Sequence, residues 1–501
     1  MIATCIMVLG TTSNAGKSWL ATALCRYYSN LGFKVAPFKA QNMSNNARVV
    51  SGGEMGEGGE IGSAQYFQAL AARAIPDVRM NPLLLKPEAD THSQVVLLGQ
   101  VNQTLTDLPW RGRSELVWPH IAGALDALRS ENDIVIIEGA GSPAEINLMD
   151  SDIVNLRVAR YANARCLLVT DIDRGGAFAH LYGTWALMPQ SDRALIHGFV
   201  LNKFRGDASL LSPAPEQLEA LTGIPTVATL PMWREHGLPE EDGVFDDDSA
   251  GEATGNESPS VTIAVVAYPR ISNLDEFQPL KNIHGVRLVW IRSAVQLANL
   301  AAHDWIILPG SKNTRSDLAW LKERAIDAPI AAHALRGGRV LGICGGLQML
   351  GELIVDAQGV EQGAMQEQSA QSMGLRLLPL ETVFAKDKTV KRTTASFGHL
   401  HGAWQALSKV TVTGYEIHHG VTKSNQDMAY EPISGLAWQC KQGNVLGIYL
   451  HGMFEDSAVL QALWGANAPS FDSVFDGLAN FLDAHVDAGV FSKLVSIVAS
   501  D

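Results

Sequence analysis

Residues 339–351 read RVLGICGGLQMLG, and this stretch decides the fold of the second half of the chain. The apolar run at 340–343 predicts a buried strand, and an apolar pattern at helical spacing follows it. Cys344 lies between them, before two glycines that permit a sharp strand-to-helix turn. Such a turn places the thiol beside helix N-terminal amides, which favour a thiolate and can hold an oxyanion. We therefore predict that Cys344 is a nucleophile, the alternative being a structural core cysteine.

A second segment provides a partner for this thiol. Residues 447–455 read GIYLHGMFE, an apolar strand that ends in His451. Parallel strands bring their carboxyl ends to one edge of the sheet. A Cys and a His at neighbouring strand ends would form a thiolate–imidazole pair.

Together these two segments resemble the class I glutamine amidotransferases. The resemblance implies that Cys344 attacks the side-chain amide of glutamine and that His451 is the base. Residues 308–314 (LPGSKNT) are similar to the oxyanion loop of that family, which implies backbone N–H donors at Gly310 and Gly345. An ordinary Pro-Gly turn is the alternative for this loop.

The third member of the catalytic group departs from the family pattern. The family usually has a glutamate two residues after the histidine, with a proline between them. Here Gly452 and Met453 occupy these positions, and the first acid is Glu455. Either Glu455 or a backbone carbonyl would then orient the histidine.

Composition limits the class of protein. The chain has 501 residues, of which 47% are hydrophobic, enough for two to four domains. A net charge of −14 argues against a nucleic-acid partner. Five scattered cysteines without a CxxC pair indicate a reducing compartment and no zinc site. No stretch approaches the ~20 apolar residues that a membrane span needs, so we expect a cytoplasmic protein with no membrane partner.

Strand-like runs alternate with helical patterns in two series, which predicts an α/β protein with two parallel-sheet domains. The predicted divisions are an N-terminal P-loop NTPase-like domain (1–240), an acidic linker (241–260), a glutamine amidotransferase domain (261–455) and a helical tail (456–501). The predicted strands of the first series are 2–9, 34–38, 133–137, 165–170, 195–201 and 226–230. Those of the second series are 261–267, 286–290, 305–308, 340–343 and 446–450.

A phosphate-binding loop follows the first predicted strand. Residues 10–18 read GTTSNAGKS and open a helical pattern. Glycines let backbone N–H groups surround phosphate oxygens at a helix N-terminus. Five residues, not the usual four, separate the first glycine from Gly-Lys, which resembles the dethiobiotin-synthetase-like branch of P-loop proteins. The residues predicted to bind ATP are Gly10, Thr11, Asn14, Ala15, Gly16, Lys17 and Ser18.

A magnesium site is expected beside this loop. The strand at 133–137 ends in Glu138, which would hold Mg²⁺ together with the Ser18 hydroxyl. The alternative for Glu138 is to cap the turn that follows it.

ATP-binding and ammonia-releasing halves in one chain imply one reaction class: ATP activates a carboxylate, and ammonia converts it into an amide.

Six further segments resemble the cobyric acid synthase family, and the match extends from residue 4 to residue 455. The resemblance implies ATP- and glutamine-dependent amidation of the b, d, e and g carboxylates of adenosylcobyrinic acid a,c-diamide, in cobalamin biosynthesis. It also implies that Glu60 joins Ser18 and Glu138 at Mg²⁺. The segments are 39–46 (KAQNMSNN), 60–65 (EIGSAQ), 80–87 (MNPLLLKP), 138–148 (EGAGSPAEINL), 270–273 (RISN) and 415–420 (YEIHHG).

Several cations of the first half are candidates for contacts with the acidic corrinoid, although each would more often be a surface or structural residue. Lys39 is the best placed, at the end of a strand beside the phosphate loop. We predict that Lys39, Asn42 and Lys86 contact the substrate. The other candidate cations are Arg48, Arg157 and Arg174.

Two other functions are compatible with these motifs. A cobyrinic acid a,c-diamide synthase would share both halves, although the segments around Asn42 and Asn81 favour the cobyric acid enzyme. A P-loop switch with an inactive glutaminase domain would bind ATP without releasing ammonia.

Overall fold

The computed structural model describes residues 2–50, 58–89, 92–109, 112–239, 260–361, 370–424, 429–465 and 471–495. The predicted linker (241–260) lies outside these residues except for its last position. The end of the predicted tail, residues 496–501, also lies outside them.

The first half alternates strands with helices, because runs rich in Val, Ile and Leu are separated by amphipathic segments. Its strands are β1 (Thr4–Gly10), β2 (Val35–Phe38), β3 (Gln41–Met43), β4 (Ala47–Val50), β5 (Gly59–Gly62), β6 (Leu83–Ala89), β7 (His92–Leu97), β8 (Gln100–Val101), β9 (Ile134–Glu138), β10 (Arg165–Asp171), β11 (Ile196–Phe204) and β12 (Thr226–Pro231). Its helices are α1 (Lys17–Asn30), α2 (Ser63–Ala71), α3 (Gln103–Asp107), α4 (Arg113–Glu131), α5 (Leu156–Ala162), α6 (Ala177–Leu187) and α7 (Ala214–Thr222).

Six of these strands form one parallel sheet in the order β12-β11-β10-β1-β9-β2. All six were predicted, with ends that differ by a few residues at most. The register pairs Val8 with Glu138 and Gly10 with Val169. The carboxyl ends of β1, β9 and β10 therefore meet at one edge of the sheet, as a doubly wound sheet requires of its ligand site.

Residues 41–101 contain strands that the sequence did not predict. They form a sheet in the order β3-β6-β7-β8 and a separate antiparallel pair, β4-β5. These strands are short and carry polar residues, so their hydrophobic periodicity is weak. The β4-β5 pair lies against the second half of the chain.

The second half contains β13 (Val261–Val266), β14 (Ile271–Ser272), β15 (Val286–Ile291), β16 (Trp305–Leu308), β17 (Gly310–Ser311), β18 (Arg339–Ile343), β19 (Leu353–Val355), β20 (Gln371–Met373), β21 (Leu380–Ser396), β22 (Thr411–Ser424), β23 (Tyr430–Ile433), β24 (Ala437–Gln439) and β25 (Val445–Ile448). Its helices are α8 (Gln278–Lys281), α9 (Thr314–Glu323), α10 (Asp327–Leu335), α11 (Gly345–Leu350) and α12 (Ser457–Trp464), and α13 (Phe471–His485) and α14 (Ala488–Val495) follow.

Its main sheet has the order β15-β13-β16-β18-β25-β24-β23, and the first five strands run parallel. These five were predicted. The antiparallel edge strands β24 and β23 were not. Two parallel-sheet α/β domains are therefore confirmed as the fold class.

The C-terminal helices divide between the two domains. Val459 and Leu460 of α12 pack in the core of the second domain. Phe475 and Leu478 of α13 instead belong to the core that contains α1, in the first domain. The sequence pattern predicted a helical tail, but α13 and α14 complete the first domain because their apolar faces cover α1.

None of the helices in the described ranges is both long enough and apolar enough to cross a membrane.

Candidate active sites

Cys344 lies in the turn between β18 and α11. Its backbone has φ 50° and ψ −106°, a region that a residue with a Cβ rarely adopts. Strain of this kind, about 1–3 kcal/mol, persists only where the surrounding structure enforces it, and it is common at functional sites. The side chain is 5% exposed, and its Sγ lies 3.5 Å from the carbonyl oxygen of Ile417.

His451 lies just beyond β25, the strand next to β18 in the sheet. Burial lowers the pKa of His451, but the charge of Glu276 and the charge and hydrogen bond of Cys344 raise it to about 10. The imidazole is therefore protonated at neutral pH. An imidazolium beside a cysteine is the arrangement that stabilises a thiolate nucleophile.

Glu276 contacts the Nδ1 edge of the His451 ring. Its Oε1 lies 3.0 Å from Nδ1 of His451, and its Oε2 accepts the N–H of Gly452 at 2.8 Å. Glu276 is fully buried, in the turn between β14 and α8. The pair of contacts fixes both the ring orientation and the nitrogen that faces the carboxylate.

The predicted oxyanion loop lies against His451 and against the backbone that follows Cys344. A Cβ at Gly310 would lie 2.6 Å from Cε1 of His451, so only glycine fits there. A Cβ at Gly345 would lie 2.8 Å from the backbone nitrogen of Ser311. The structure therefore brings Gly310, Gly345, Cys344 and His451 together.

The phosphate loop has the expected position between β1 and α1. Gly16 has φ 102°, and a Cβ there would lie 2.0 Å from Nδ2 of Asn202. Asn202 donates to the carbonyl of Ala15 at 3.0 Å, and Lys17 Nζ donates to the carbonyl of Thr12 at 3.0 Å. The loop is thus held in a narrow turn around the lysine.

Three side chains converge on the carboxylate of Glu138. Ser18 Oγ donates to Oε1 at 2.8 Å, Lys39 Nζ lies 2.9 Å from the same oxygen, and Gln68 donates to Oε2 at 2.5 Å. Burial raises the pKa of Glu138, but Lys39 and these hydrogen bonds lower it below the usual range. A hydroxyl and an ionised carboxylate are the hard oxygen donors that Mg²⁺ prefers, so these two groups fit the ion.

Glu60 contacts two lysines and not the Ser18–Glu138 pair that it was expected to join. Its Oε2 lies 2.6 Å from Lys86 Nζ, and its other oxygen contacts Lys388 of the second domain. Lys86 is therefore buried in an ion pair at the domain interface, and its contact with the substrate stays a prediction. Burial raises the pKa of Glu60, but Lys388 and Lys86 lower it below the usual range, so the carboxylate is ionised and forms ion pairs at the domain interface.

A groove of about 2260 Å³ runs from the phosphate loop to the second domain. Small-molecule sites are typically ≈ 300–1,000 Å³, so the groove has room for a nucleotide and a second large ligand. Its lining residues from the first domain include Ser18, Lys39, Asn42 and Arg174, and those from the second domain include Asp275.

Two other candidate cations are engaged elsewhere. Arg157 forms an ion pair with Glu115 at 2.6 Å. Arg48 is buried against Asp275 and Glu455. Neither lies in the groove as a corrinoid contact would require.

Comparison with known proteins agrees with this arrangement. Residues 6–240 match the family model of the CobQ/CobB/MinD/ParA nucleotide binding domain, and residues 262–459 match that of the CobB/CobQ-like glutamine amidotransferase domain. A cobyric acid synthase of Variovorax paradoxus (strain S110) is 69% identical, over 99% of this chain and 100% of its own length. The chain belongs to the cobyric acid synthase family. Similar proteins of the same name from Acidovorax ebreus (strain TPSY) and Albidiferax ferrireducens are 66% and 65% identical, each over 99% of this chain and over 99% and 100% of their own lengths.

In this member of the cobyric acid synthase family, sequence reasoning missed the residue that orients His451. The two candidates were Glu455 and a backbone carbonyl, but Glu276 makes the contact. Glu455 lies 2.6 Å from Arg48 instead. Glu276 precedes His451 by 175 residues and belongs to no recognisable motif, so spacing offered no signal for it.

Proposed function

We propose that this chain uses ATP and glutamine to amidate the b, d, e and g carboxylates of adenosylcobyrinic acid a,c-diamide, giving cobyric acid. The observation that carries the proposal is the pairing of two sites in one chain. Cys344, His451 and Glu276 form a glutaminase site, and the phosphate loop with Glu138 forms a nucleotide site. Full-length similarity to proteins named cobyric acid synthase supports the choice of substrate.

In the glutaminase site, the Cys344 thiolate attacks the side-chain amide of glutamine. Backbone N–H groups near Gly310 and Gly345 stabilise the oxyanion that forms. His451 donates its proton to the departing nitrogen, and ammonia leaves an acyl-thioester on the sulfur. The neutral His451 then takes a proton from water, which hydrolyses the thioester and releases glutamate.

In the nucleotide site, a corrinoid carboxylate attacks the terminal phosphorus of ATP and ADP leaves. Lys17 and Lys39 neutralise charge that spreads over the transferring phosphoryl oxygens. Ser18 and Glu138 would hold Mg²⁺, which supplies further positive charge when bound. Ammonia then attacks the acyl phosphate and expels inorganic phosphate, leaving an amide.

The volume of the groove is compatible with four successive reactions on one ring. A ligand bound mainly by Lys39, Asn42 and Arg174 would meet few shape constraints in a space of about 2260 Å³. We propose that the ring rotates or is released between rounds. Partly amidated corrinoids free in solution during a time course support release.

The decisive experiment is product analysis by mass spectrometry. The purified chain is given adenosylcobyrinic acid a,c-diamide, ATP, Mg²⁺ and glutamine, and a product with four new amides is expected. Cys344→Ala should lose glutamine-dependent amidation but keep it when ammonium salt replaces glutamine. Loss of both activities in Cys344→Ala contradicts the separation of the two sites.

The same assay separates the alternatives. Amidation of cobyrinic acid only at positions a and c would identify an a,c-diamide synthase. ATP binding without glutamate release, in wild type and Cys344→Ala alike, would identify a switch with an inactive glutaminase domain.

Replacing Lys17 tests the nucleotide site. Lys17→Met should abolish ATP-dependent amidation with either nitrogen source, because the charge beside the phosphates is lost. Release of glutamate from glutamine should persist, since Lys17 belongs to the other domain. The two rates are compared by measuring ADP and glutamate in the same reaction.

A further inference from the structure

Residues 46–48 of the first domain lie against residues 273–276 of the second. The second segment includes Glu276, which contacts His451. The side chain of Asn46, in the first domain, accepts the N–H of Leu274 at 3.1 Å. The side chain of Asn273, in the second domain, accepts the N–H of Ala47 at 3.1 Å. This reciprocal pair fixes the register between residues 46–48 and residues 273–276.

Arg48 enters the second domain at this junction. Its guanidinium is 1% exposed, contacts the carboxylate of Asp275 and lies 2.6 Å from Oε1 of Glu455. Its Nη1 also donates to the hydroxyl of Tyr415 at 2.7 Å. A buried cation with this many partners in another domain is a structural connection between the domains, not a surface charge.

The partners of Arg48 are the groups that surround the catalytic histidine. Asp275 is the neighbour of Glu276, which lies 3.0 Å from Nδ1 of His451. The Tyr415 ring stacks on the imidazole with centroids 5.4 Å apart. The backbone of Tyr415 also exchanges two hydrogen bonds with His451, at 3.1 and 2.9 Å.

We propose that Arg48 is a positioning residue of the glutaminase, supplied by the nucleotide-binding domain. By holding Asp275 and Tyr415 it fixes Glu276 and the imidazole of His451, so the glutaminase site is complete only while the two domains are docked. The inference rests on the proposed function, since it assigns a role within that reaction.

Through Arg48, the conformation of the first domain affects the geometry of the glutaminase site. Arg48 belongs to β4, and β4 pairs with β5 of the same domain. Asp275 also lines the groove that contains Ser18 and Lys39. A ligand that moves Asp275 or β4 would therefore change the geometry at His451.

The test measures glutaminase kinetics of Arg48→Lys and Tyr415→Phe. Lysine keeps the charge but has no planar fork to reach Asp275 and Tyr415 together. We expect kcat for glutamate release to fall about 10- to 100-fold, with KM little changed, because small misplacements of a catalytic group have effects of that size. Tyr415→Phe keeps the ring stacked on His451 and should show a smaller loss in the same direction.

A pH profile separates positioning from a general structural defect. The charged and titratable groups around His451 are Glu276, Cys344, Tyr415 and, next to them, Asp275, Glu455 and Arg48. If a variant displaces Glu276 from His451, the pKa of His451 should fall. The alkaline limb of the glutaminase pH profile should then move to lower pH. Lys388→Met, which breaks another buried cation contact across the interface, should leave that limb in place.

Ammonium-dependent amidation distinguishes failure of this inference from failure of the proposed function. In Arg48→Lys that activity should remain at the wild-type level while the glutamine-dependent activity falls. Equal loss of the ammonium-dependent and glutamine-dependent activities in Arg48→Lys overturns the inference. A glutaminase pH profile identical to wild type in Arg48→Lys and Tyr415→Phe also overturns it. Lack of glutamine-dependent amidation in wild type would overturn the proposed function itself.

Discussion

The carboxylate of Glu276 controls the charge of His451. It raises the pKa of the imidazole to about 10, together with Cys344, against the lowering effect of burial. A raised histidine pKa means that the protonated form is retained through neutral pH and is lost only as the pH rises through this value. The acid that supplies this field comes from a distant turn and not from the strand that carries the histidine.

Replacing this acid gives a prediction with a defined sign. Glu276→Gln removes the negative charge, so the pKa of His451 should fall and the alkaline limb of the glutaminase profile should move to lower pH. The measurement is kcat/KM for glutamate release across pH.

Glu455→Gln is the matched control, because Glu455 was one of the two groups that the sequence offered as the partner of His451. Its carboxylate contacts Arg48 and not His451, so the alkaline limb should move less in Glu455→Gln than in Glu276→Gln. A larger shift in Glu455→Gln than in Glu276→Gln would reverse the assignment.

Among the elements, the turn between β18 and α11 stores backbone strain. Cys344 has φ 50° and ψ −106°, angles that glycine adopts without a steric penalty. Strand β18 pairs with β16 and β25 on its two sides, and α11 begins directly after the cysteine. Strand order thus determines where the thiol points.

This strain predicts different stabilities for two variants that lack the thiol. Cys344→Gly should be more stable than Cys344→Ala by about 1 kcal/mol, because glycine relieves the strain but has a more flexible unfolded chain. Thermal unfolding of the two proteins, compared side by side, measures the difference. Greater stability of the alanine variant would show that the turn is not strained.

At the scale of the whole molecule, segments of each half of the chain pack into the other domain. Residues 46–48 reach from the first domain to the glutaminase site, and α13 and α14 return from the second domain to α1. Tyr28 of α1 donates to the carbonyl of Phe491 at 2.9 Å, and Leu478 of α13 is fully buried in the same core. The two domains are therefore interlocked along the chain.

The returning helices should contribute to the stability of the first domain. Leu478→Ala should destabilise that domain by about 2–5 kcal/mol, the usual result of removing a large buried side chain. Asn480→Ala, on the exposed side of the same helix, should have little effect. Urea unfolding followed by nucleotide binding reports on the first domain, and equal midpoints for the two variants would contradict the packing of α13 on α1.

Much of the architecture was available from the sequence. Apolar runs separated by helical patterns predicted the eleven strands, because a strand buried on both faces must be apolar throughout. The phosphate loop and the turn at Cys344 were equally visible, since both require glycine at fixed positions beside a strand end. The strands of residues 41–101 and the long antiparallel pair β21–β22 were not predicted, because their polar residues interrupt the alternation of apolar and polar positions that marks a strand.

The sequence by itself determined the candidates for the chemistry: Cys344, His451 and the lysine and serine of the phosphate loop, each marked by its local turn. Only the tertiary structure decided which groups support them. Glu276 reaches His451 from another turn, and Glu60 and Lys86 pair with each other at the domain interface. The physical reason is that a turn is specified by residues next to each other in the chain, whereas a buried charge is paired by whichever partner the packing of distant elements brings close.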